Sequence, residues 1–157
     1  QRTSDMNAHK PENDSERLEF STFFLGNALF GINTLAIQEI NKNIDITRVP
    51  MAANGIEGII NLRGLIVTTL DLGKKLGLPD VHKNKETRNV IVNWEGEHIG
   101  LLVDTVGDIV KVNQKEIESA PATIGKIRGH FFNGIIKTDD QLIAILDINQ
   151  ILNPEWS

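Results

Sequence analysis

The sequence predicts a mainly β protein made of two similar small β-barrels that pack together, with only short helices. Three observations lead to this fold class. Short apolar runs follow one another at close spacing and are separated by glycine, asparagine or aspartate. The helical signals between these runs are short. Sequence from the first half of the chain recurs in the second half, as expected of a duplicated unit.

The first half contains two predicted hairpins. Gly26 and Asn27 separate the strand runs LEFSTFFL and ALFGI, and both residues suit a tight turn. LAIQEI and IDITRV are two further short strand candidates, the second of which ends at Pro50. GIEGIINL and LIVTTL then form a hairpin around Arg63 and Gly64.

The second half repeats this alternation of strands and turns. NVIVNW and HIGLLVD form a hairpin that turns at Glu95 and Gly96. VGDIVKV is another strand, and residues 113–130 are a mixture of short turns and loops. FFNGIIK and QLIAILD form a last hairpin around Asp139 and Asp140.

Each half is predicted to end in a short helix that begins at an aspartate. Asp71 is a good N-cap, Gly77 suits the C′ position, and Pro79 prevents the helix from continuing. Asp147 caps the second helix, which runs through Leu152. Paired aspartates could do acid–base chemistry, but their position before helical turns favours the capping role.

Two separate alignments define the repeat. GIINLRGLIVTTLDL (58–72) aligns without a gap on GIIKTDDQLIAILDI (134–148). FGINTLAIQEI (30–40) aligns on IGLLVDTVGDI (99–109), with a different offset. Because the offsets differ, one copy contains an insertion relative to the other.

The repeat and the polar segments predict the domain boundaries. Residues 18–80 form the first barrel and residues 86–148 the second, joined around the polar linker 78–88. Residues 1–17 are too polar to offset their ordering entropy and are predicted to be a disordered tail. Residues 149–157 form the short C-terminal helix and tail.

Composition excludes several classes of function. The formal charge of −5 and the pI of about 5.3 argue against a nucleic-acid-binding protein. The absence of cysteine excludes disulfides and fits a cytoplasmic location. No apolar run is long enough to insert into a membrane. The sequence has no histidine spacing typical of a metal site, no glycine-rich phosphate-binding loop and no GxSxG nucleophile motif. It therefore predicts no metal, no cofactor and no catalytic residue.

The two copies differ at the turn that contains Arg63. The first copy has Asn61, Leu62, Arg63 and Gly64, whereas the second has Lys-Thr-Asp-Asp at the same positions. Packing therefore does not require the arginine. Arginine presents five donors and a planar group that stacks, which enriches it at protein interfaces. The position predicts a recognition role for Arg63, with Gly64 allowing a tight backbone beside it.

Glu39 and Asp108 also correspond in the repeat. Each is a single acid between apolar neighbours at one end of a predicted strand. Two interpretations remain open for this pair: residues on a solvated face, or polar anchors of a recognition groove.

The chain resembles the family of CheW-like chemotaxis coupling domains. The resemblance rests on four blocks that cover most of the chain from Phe20 to Leu152. They are FFLGNALFGINTLAIQEI, GIEGIINLRGLIVTTLDL, HIGLLVDTVGDIV and FFNGIIKTDDQLIAILDI. The resemblance implies two packed SH3-like barrels of five strands each.

The resemblance also implies a function. Members of this family are non-catalytic cytoplasmic adaptors without a cofactor. They couple the cytoplasmic tips of chemoreceptors (methyl-accepting chemotaxis proteins) to the regulatory domain of the histidine kinase CheA, with receptor helices in the groove between the barrels. The alternative is a CheW-like regulatory domain detached from a larger CheA- or CheV-type protein.

Positions that match the family motifs give the candidate receptor- and kinase-binding residues. They are Ile37, Glu39, Asn61, Arg63 and Gly64 in the first copy, and Val106 and Asp108 in the second. The motifs do not locate the kinase contacts separately.

The chain departs from the family at two positions. The family commonly has proline near Thr68 and arginine near Gly73, whereas this chain reads TTLDLGKKL. Lys74 or Lys75 is therefore expected to supply the missing charge, and the resemblance predicts no binding contact at Gly73.

Overall fold

The computed structural model of the chain describes residues 17–42, 45–50 and 55–153. The predicted disordered tail, 1–17, lies outside the described residues except for Arg17, which begins the first strand instead.

Strands dominate the described residues. The first seven are β1 (Arg17–Leu25), β2 (Ala28–Asn33), β3 (Ile37–Asn41), β4 (Ile56–Leu62), β5 (Leu65–Asp71), β6 (Arg88–Trp94) and β7 (Glu97–Val103). The other six are β8 (Thr105–Asn113), β9 (Ile117–Glu118), β10 (Thr123–Ile124), β11 (Ile127–Arg128), β12 (Phe132–Lys137) and β13 (Leu142–Leu146). The helices α1 (Leu72–Lys75) and α2 (Ile148–Leu152) are short, as are the 3-10 turns Thr34–Ala36, Gln114–Glu116 and Gly129–Phe131.

The described strands form two large sheets with the same connectivity and a two-stranded sheet of β10 and β11. One sheet has the order β3-β6-β7-β5-β4, and the other has the order β8-β1-β2-β13-β12-β9. When β3, β4, β5, β6 and β7 are matched with β8, β12, β13, β1 and β2, the two orders are identical over five strands. The mainly β class, the duplication and the two SH3-like barrels are therefore confirmed.

The predicted division into 18–80 and 86–148 does not describe how the strands pair. Each copy donates its first hairpin to the other copy's sheet: β1–β2 pairs with β8 and β13, and β6–β7 pairs with β3 and β5. Both exchanges use a parallel pairing, β2 with β13 and β5 with β7. Each large sheet therefore contains strands from both halves of the chain. Sequence similarity identifies the repeat but does not show which copies pair.

The largest apolar core lies between the two barrels. It takes buried residues from strands of both sheets, among them Phe30 and Leu101. Phe30 stacks on Phe23 and on Phe132, with 6.2 Å between ring centroids in each pair. Each such ring contributes on the order of 2–3 kcal/mol by burial. This shared core makes the barrels one packed body.

One predicted strand is wrong. The segment IDITRV contains only an isolated bridge between Thr47 and Ile59, and Ile44 lies outside the described residues. The strand predicted over LAIQEI begins at Ile37, because the Asn33 side chain accepts a hydrogen bond from Leu35 N (2.9 Å) and starts a 3-10 turn.

The repeated glycines have a packing reason. A Cβ on Gly58 would lie 2.1 Å from the Thr47 carbonyl oxygen. A Cβ on the equivalent Gly134 would lie 2.6 Å from Ile117 Cγ2 and 2.8 Å from the Glu118 carbonyl oxygen. In each barrel, an outer segment, the isolated bridge at Thr47 or the strand β9, therefore crosses directly over the glycine of β4 or β12.

Both predicted helix caps are confirmed. An Asp71 carboxylate oxygen accepts a hydrogen bond from Lys74 N (3.0 Å), and Asp147 accepts one from Asn149 N (3.0 Å). Asp71 also accepts a hydrogen bond from Val81 N (3.0 Å), so it holds the start of the inter-repeat linker as well as the helix. The last four residues of the predicted C-terminal segment, 154–157, lie outside the described residues.

The same linker is fixed by a buried carboxylate on β4. The Lys83 ammonium lies 2.7 Å from Glu57, and the Lys74 ammonium lies 3.8 Å from it. The hydrogen bond from Lys83 holds the pKa of Glu57 below its ordinary value, with charge contributions from Lys83, Lys74 and Arg48 and against the opposing effect of burial.

Candidate functional site

Arg63 lies at the first central position of a two-residue hairpin turn. Leu62 and Leu65 form the last cross-strand pair of β4 and β5. Between them, Arg63 has φ of 52° and Gly64 has φ of 88°, the positive pair that a type I′ turn requires. The Asn61 side chain accepts a hydrogen bond from Gly64 N (2.8 Å) and braces the turn.

Arginine is an unfavourable choice for this backbone conformation. Type I′ turns favour asparagine, aspartate or glycine at the position of Arg63 because these residues tolerate positive φ. In the second copy, Asp139 and Asp140 make the equivalent turn without positive φ at either residue. The turn geometry therefore does not itself explain the arginine.

The structure brings two of the predicted residues into direct contact. The Arg63 guanidinium donates a hydrogen bond to the Glu39 carboxylate and forms an ion pair with it. Asn41 also donates to Glu39 (3.2 Å). The hydrogen bond from Arg63, followed by that from Asn41, lowers the pKa of Glu39. The pair links β3, at one edge of the sheet, to the β4–β5 hairpin at the other edge. It therefore connects the two edges of the sheet that closes into this barrel.

The Arg63 side chain is largely exposed to solvent although it is paired with Glu39. The Arg63 side chain is 67% exposed. Ile66, which faces Asn61 across the hairpin, is 60% exposed, and the neighbouring Leu65 is also exposed. An exposed cation beside exposed apolar side chains is a composition typical of protein interfaces. We call Glu39, Asn61, Arg63, Gly64 and Ile66 the arginine cluster.

Sequence reasoning missed several other exposed apolar side chains. Leu35 is 92% exposed, and Ile40 and Ile109 are also exposed. These residues stand in or beside runs that resemble ordinary buried strands, so the apolar pattern alone could not distinguish them. Ile37, by contrast, is half-buried and packs against the shared core.

Val106 and Asp108 lie on a different sheet, on its edge strand β8. Val106 is partly exposed and Asp108 is exposed, and the Thr22 hydroxyl donates to the Asp108 carbonyl oxygen (2.5 Å). The pairing of β8 with β1 is interrupted by a bulge here, and the pairing of β3 with β6 has one beside Glu39. The two acids thus occupy equivalent bulged positions in the two barrels.

The second barrel cannot repeat the ion pair of the first. The position equivalent to Arg63 is Asp139, an acid like Asp108. The predicted site residues therefore form one connected cluster in the first sheet and a separate edge in the second. We call Val106, Asp108 and Ile109 the β8 edge.

One of the two departures from the family pattern, the glycine at position 73, has a local explanation. Lys74, one of the two expected replacements for the missing arginine, lies 3.8 Å from Glu57 and 3.7 Å from Asp80. A Cβ on Gly73 would lie 2.5 Å from the Pro79 carbonyl oxygen. The close approach of the linker explains why residue 73 is a glycine. The Lys74 ammonium pairs with a carboxylate on β4 and with one in the linker.

The described residues offer no site for a bound metal. Over 17–42, 45–50 and 55–153, no three histidine, aspartate or glutamate side chains gather closely enough to hold an ion. None of the helices in these ranges has the length and apolar character needed to cross a membrane.

A family model described as "CheW-like domain" matches residues 19–155. The chain belongs to the CheW-like domain family. Chemotaxis protein CheW of Bacillus subtilis is 34% identical over 135 residues, which is 86% of each chain. Chemotaxis protein CheW of Helicobacter pylori is 33% identical, covering 94% of this chain and 88% of the relative.

A solved structure supports both the fold and the functional class. The crystal structure of the scaffolding protein TtCheW from Thermoanaerobacter tengcongensis is similar with a TM-score of 0.81 at 34% identity. The similarity covers 89% of this chain and 90% of TtCheW. These relatives support a chemotaxis scaffold as the function of the CheW-like chain.

Proposed function

We propose that this chain is a non-catalytic adaptor that couples the cytoplasmic tips of chemoreceptors to the regulatory domain of the histidine kinase CheA. On this proposal it acts in the cytoplasm and binds without a cofactor. The observation that carries the proposal is the exposed Arg63, kept in a turn that disfavours arginine and oriented by Glu39.

The arginine cluster is the proposed receptor contact. Ile66 and Leu65 supply exposed apolar surface beside the guanidinium. Glu39 fixes one side of the guanidinium, so the remaining donors are preorganised for an acceptor on the partner. A helical receptor tip that carries apolar residues and side-chain acceptors would complement this surface.

The β8 edge is the proposed contribution of the second barrel. Val106 and Ile109 expose apolar side chains on a strand that is bonded to β1 alone among the described strands. A receptor helix that contacts both this edge and the arginine cluster would be held by both barrels, as the family resemblance implies.

The alternative is a regulatory domain detached from a larger CheA- or CheV-type protein. Chemotaxis protein CheV3 of Helicobacter pylori is 28% identical, and the match covers 41% of that protein. The matches to CheW relatives span most of those proteins, for example 86% of the Bacillus subtilis chain. The comparisons therefore favour the adaptor over this alternative.

A pull-down with two purified baits tests the proposal. One bait is a receptor cytoplasmic fragment, and the other is a CheA regulatory domain. The chain should bind each bait separately and bridge both in one complex. Arg63→Glu should lose the receptor fragment and retain the kinase domain, whereas the exposed linker variant Lys85→Glu should retain both. Failure of the unmodified chain to bind either bait would overturn the adaptor proposal.

A further inference from the structure

A second surface feature shares no residue with the arginine cluster or the β8 edge. It is a pocket of about 800 Å³ walled by four separate parts of the chain and by Asp104, between β7 and β8. The walls are the β1–β2 hairpin tip (24–30), the inter-repeat linker (78–82), the β10–β11 hairpin (124–127) and the β12–β13 turn region (140–144). This volume lies within the range of sites that take a drug-sized ligand or a few side chains.

The pocket is mainly apolar. Phe24, Leu29, Ile127 and Leu142 contribute to its wall. Leu142, the first residue of β13, is 42% exposed, so this apolar surface opens to solvent. Apolar area that stays accessible within a concavity is a common feature of binding sites.

Acidic residues surround this apolar surface. Asp80, Asp104 and Asp140 line the pocket, against a single lysine, Lys126. The remaining titratable residue of the lining is His82.

The acids differ in how firmly they are held. The Asp104 carboxylate is fixed by hydrogen bonds from Gly26 N (2.6 Å) and His82 N (3.2 Å), two neutral amides that leave its negative charge in place. Asp80 has Lys74 at 3.7 Å, an exposed and therefore weak pairing. The lining thus presents an apolar centre with an excess of negative charge.

We propose that this pocket docks a short segment of a partner protein that inserts a large apolar side chain and carries arginine or lysine on both sides. The apolar side chain would fill the space beside Leu142 and Ile127. The flanking cations would meet Asp80, Asp104 and Asp140, where charge complementarity favours them over an acidic segment. A nucleic acid or an anionic membrane would be repelled by the same acids.

A synthetic peptide tests the proposal directly. The probe is a six-residue peptide with a central Phe-Leu pair and Arg-Lys on each side. It is titrated into the isotopically labelled full chain, and binding is followed by amide chemical shifts. Saturable shifts should appear at Gly26, His82, Lys126 and Leu142. A peptide with serine in place of Phe-Leu, and one with acids in place of the cations, should each bind at least tenfold more weakly.

Matched variants at equivalent positions of the internal repeat distinguish peptide binding at the pocket from non-specific binding. Leu142→Ala should weaken peptide binding several-fold, whereas Ile66→Ala, at the equivalent position of the other barrel, should leave it unchanged. Asp140→Asn should weaken binding and reduce its salt dependence more than Asp139→Asn. These positions are exposed, so the variants should fold, which their amide spectra would confirm.

Three outcomes would overturn the proposal. The first is an absence of shifts at the pocket, and the second is equal binding of all three peptides. The third is equally tight binding of phenylalanine amide alone, which would show a small-molecule site in place of a peptide-docking site. None of these results bears on receptor or CheA binding at the arginine cluster.

Discussion

At the scale of single residues, Arg63 combines a disfavoured backbone conformation with an exposed ion pair. The positive φ costs a non-glycine residue roughly 1–2 kcal/mol, and an exposed ion pair offsets little of such a cost. Arg63→Asn should therefore keep the turn and leave the urea midpoint unchanged or raised. A fall in stability of more than about 1 kcal/mol would show that the fold, not a partner, requires the arginine.

Glu57 predicts a pH dependence of stability. Its pKa is lowered in the folded chain, chiefly by Lys83, relative to about 4.3 in the unfolded chain. The unfolded state therefore binds the proton first as the pH falls. The stabilisation is fully present above about pH 5 and is lost as the pH drops through the lowered pKa. Glu57→Gln should cost roughly 1.5–3 kcal/mol at pH 7, and the difference should shrink toward pH 3.

The free energy of unfolding in urea is measured for the unmodified chain and for Glu57→Gln between pH 7 and pH 3. Glu118→Gln is the control, because Glu118 pairs with Lys137 at 3.4 Å on an exposed surface and should cost less than about 1 kcal/mol. A Glu57→Gln penalty that stays constant from pH 7 to pH 3 would contradict the ionic explanation.

At the scale of elements, the crossing over Gly58 gives a sharp prediction. A methyl group there would meet the Thr47 carbonyl oxygen at 2.1 Å, so the backbone of one segment would have to move. Gly58→Ala should destabilise the chain by about 3 kcal/mol or more, at or beyond the upper end of overpacking costs. Chemical denaturation measures the effect.

Gly96 is the matched control for this substitution. It lies at the β6–β7 turn with φ of 80°, and a Cβ there would have no neighbour within 4 Å. Gly96→Ala should therefore cost only the roughly 1–2 kcal/mol of a left-handed alanine. Equal losses for both variants would mean that backbone conformation, not the crossing segment at Thr47, explains Gly58.

The elements also show which structural features local sequence predicts and which it does not. The hairpin turns at Gly26, Arg63–Gly64 and Glu95–Gly96 were predictable because turn chemistry is local. The caps at Asp71 and Asp147 were predictable for the same reason. The strand expected over IDITRV was wrong because a short β-like run only becomes a strand when a partner pairs along its length.

The candidate site was predictable only in part. Comparison of the two copies selected Arg63 and Glu39 separately, but their contact depends on closure of the barrel, which the sequence does not show. The exposed Leu35 and Ile66 were missed for a related reason. Their apolar character predicts burial, and only the tertiary structure shows which strand positions remain uncovered.

At the scale of the whole molecule, the exchanged hairpins predict that neither half folds alone. A chain of residues 17–84 would lack the partners β6 and β7 for β3 and β5, and residues 85–157 would lack β1 and β2 for β8 and β13. Each fragment should therefore show no cooperative unfolding by circular dichroism. An equimolar mixture should regain β structure and a single transition.

Independent cooperative unfolding of either fragment would contradict this account. It would instead support barrels that coincide with 18–80 and 86–148. The exchange could not be predicted from the repeat, because similar copies can pair within themselves or with each other and the same apolar residues satisfy both arrangements.

The most direct test of the proposed adaptor function is receptor-dependent activation of CheA in a reconstituted system. The assay contains receptor-bearing membranes, CheA and this chain, and measures kinase autophosphorylation. The unmodified chain should raise kinase activity in a receptor-dependent way. Arg63→Glu, shown to be folded by its urea transition, should abolish most of that increase, and Lys85→Glu should preserve it. Full activation by folded Arg63→Glu would contradict the role proposed for Arg63, and no activation by the unmodified chain would contradict the adaptor function itself.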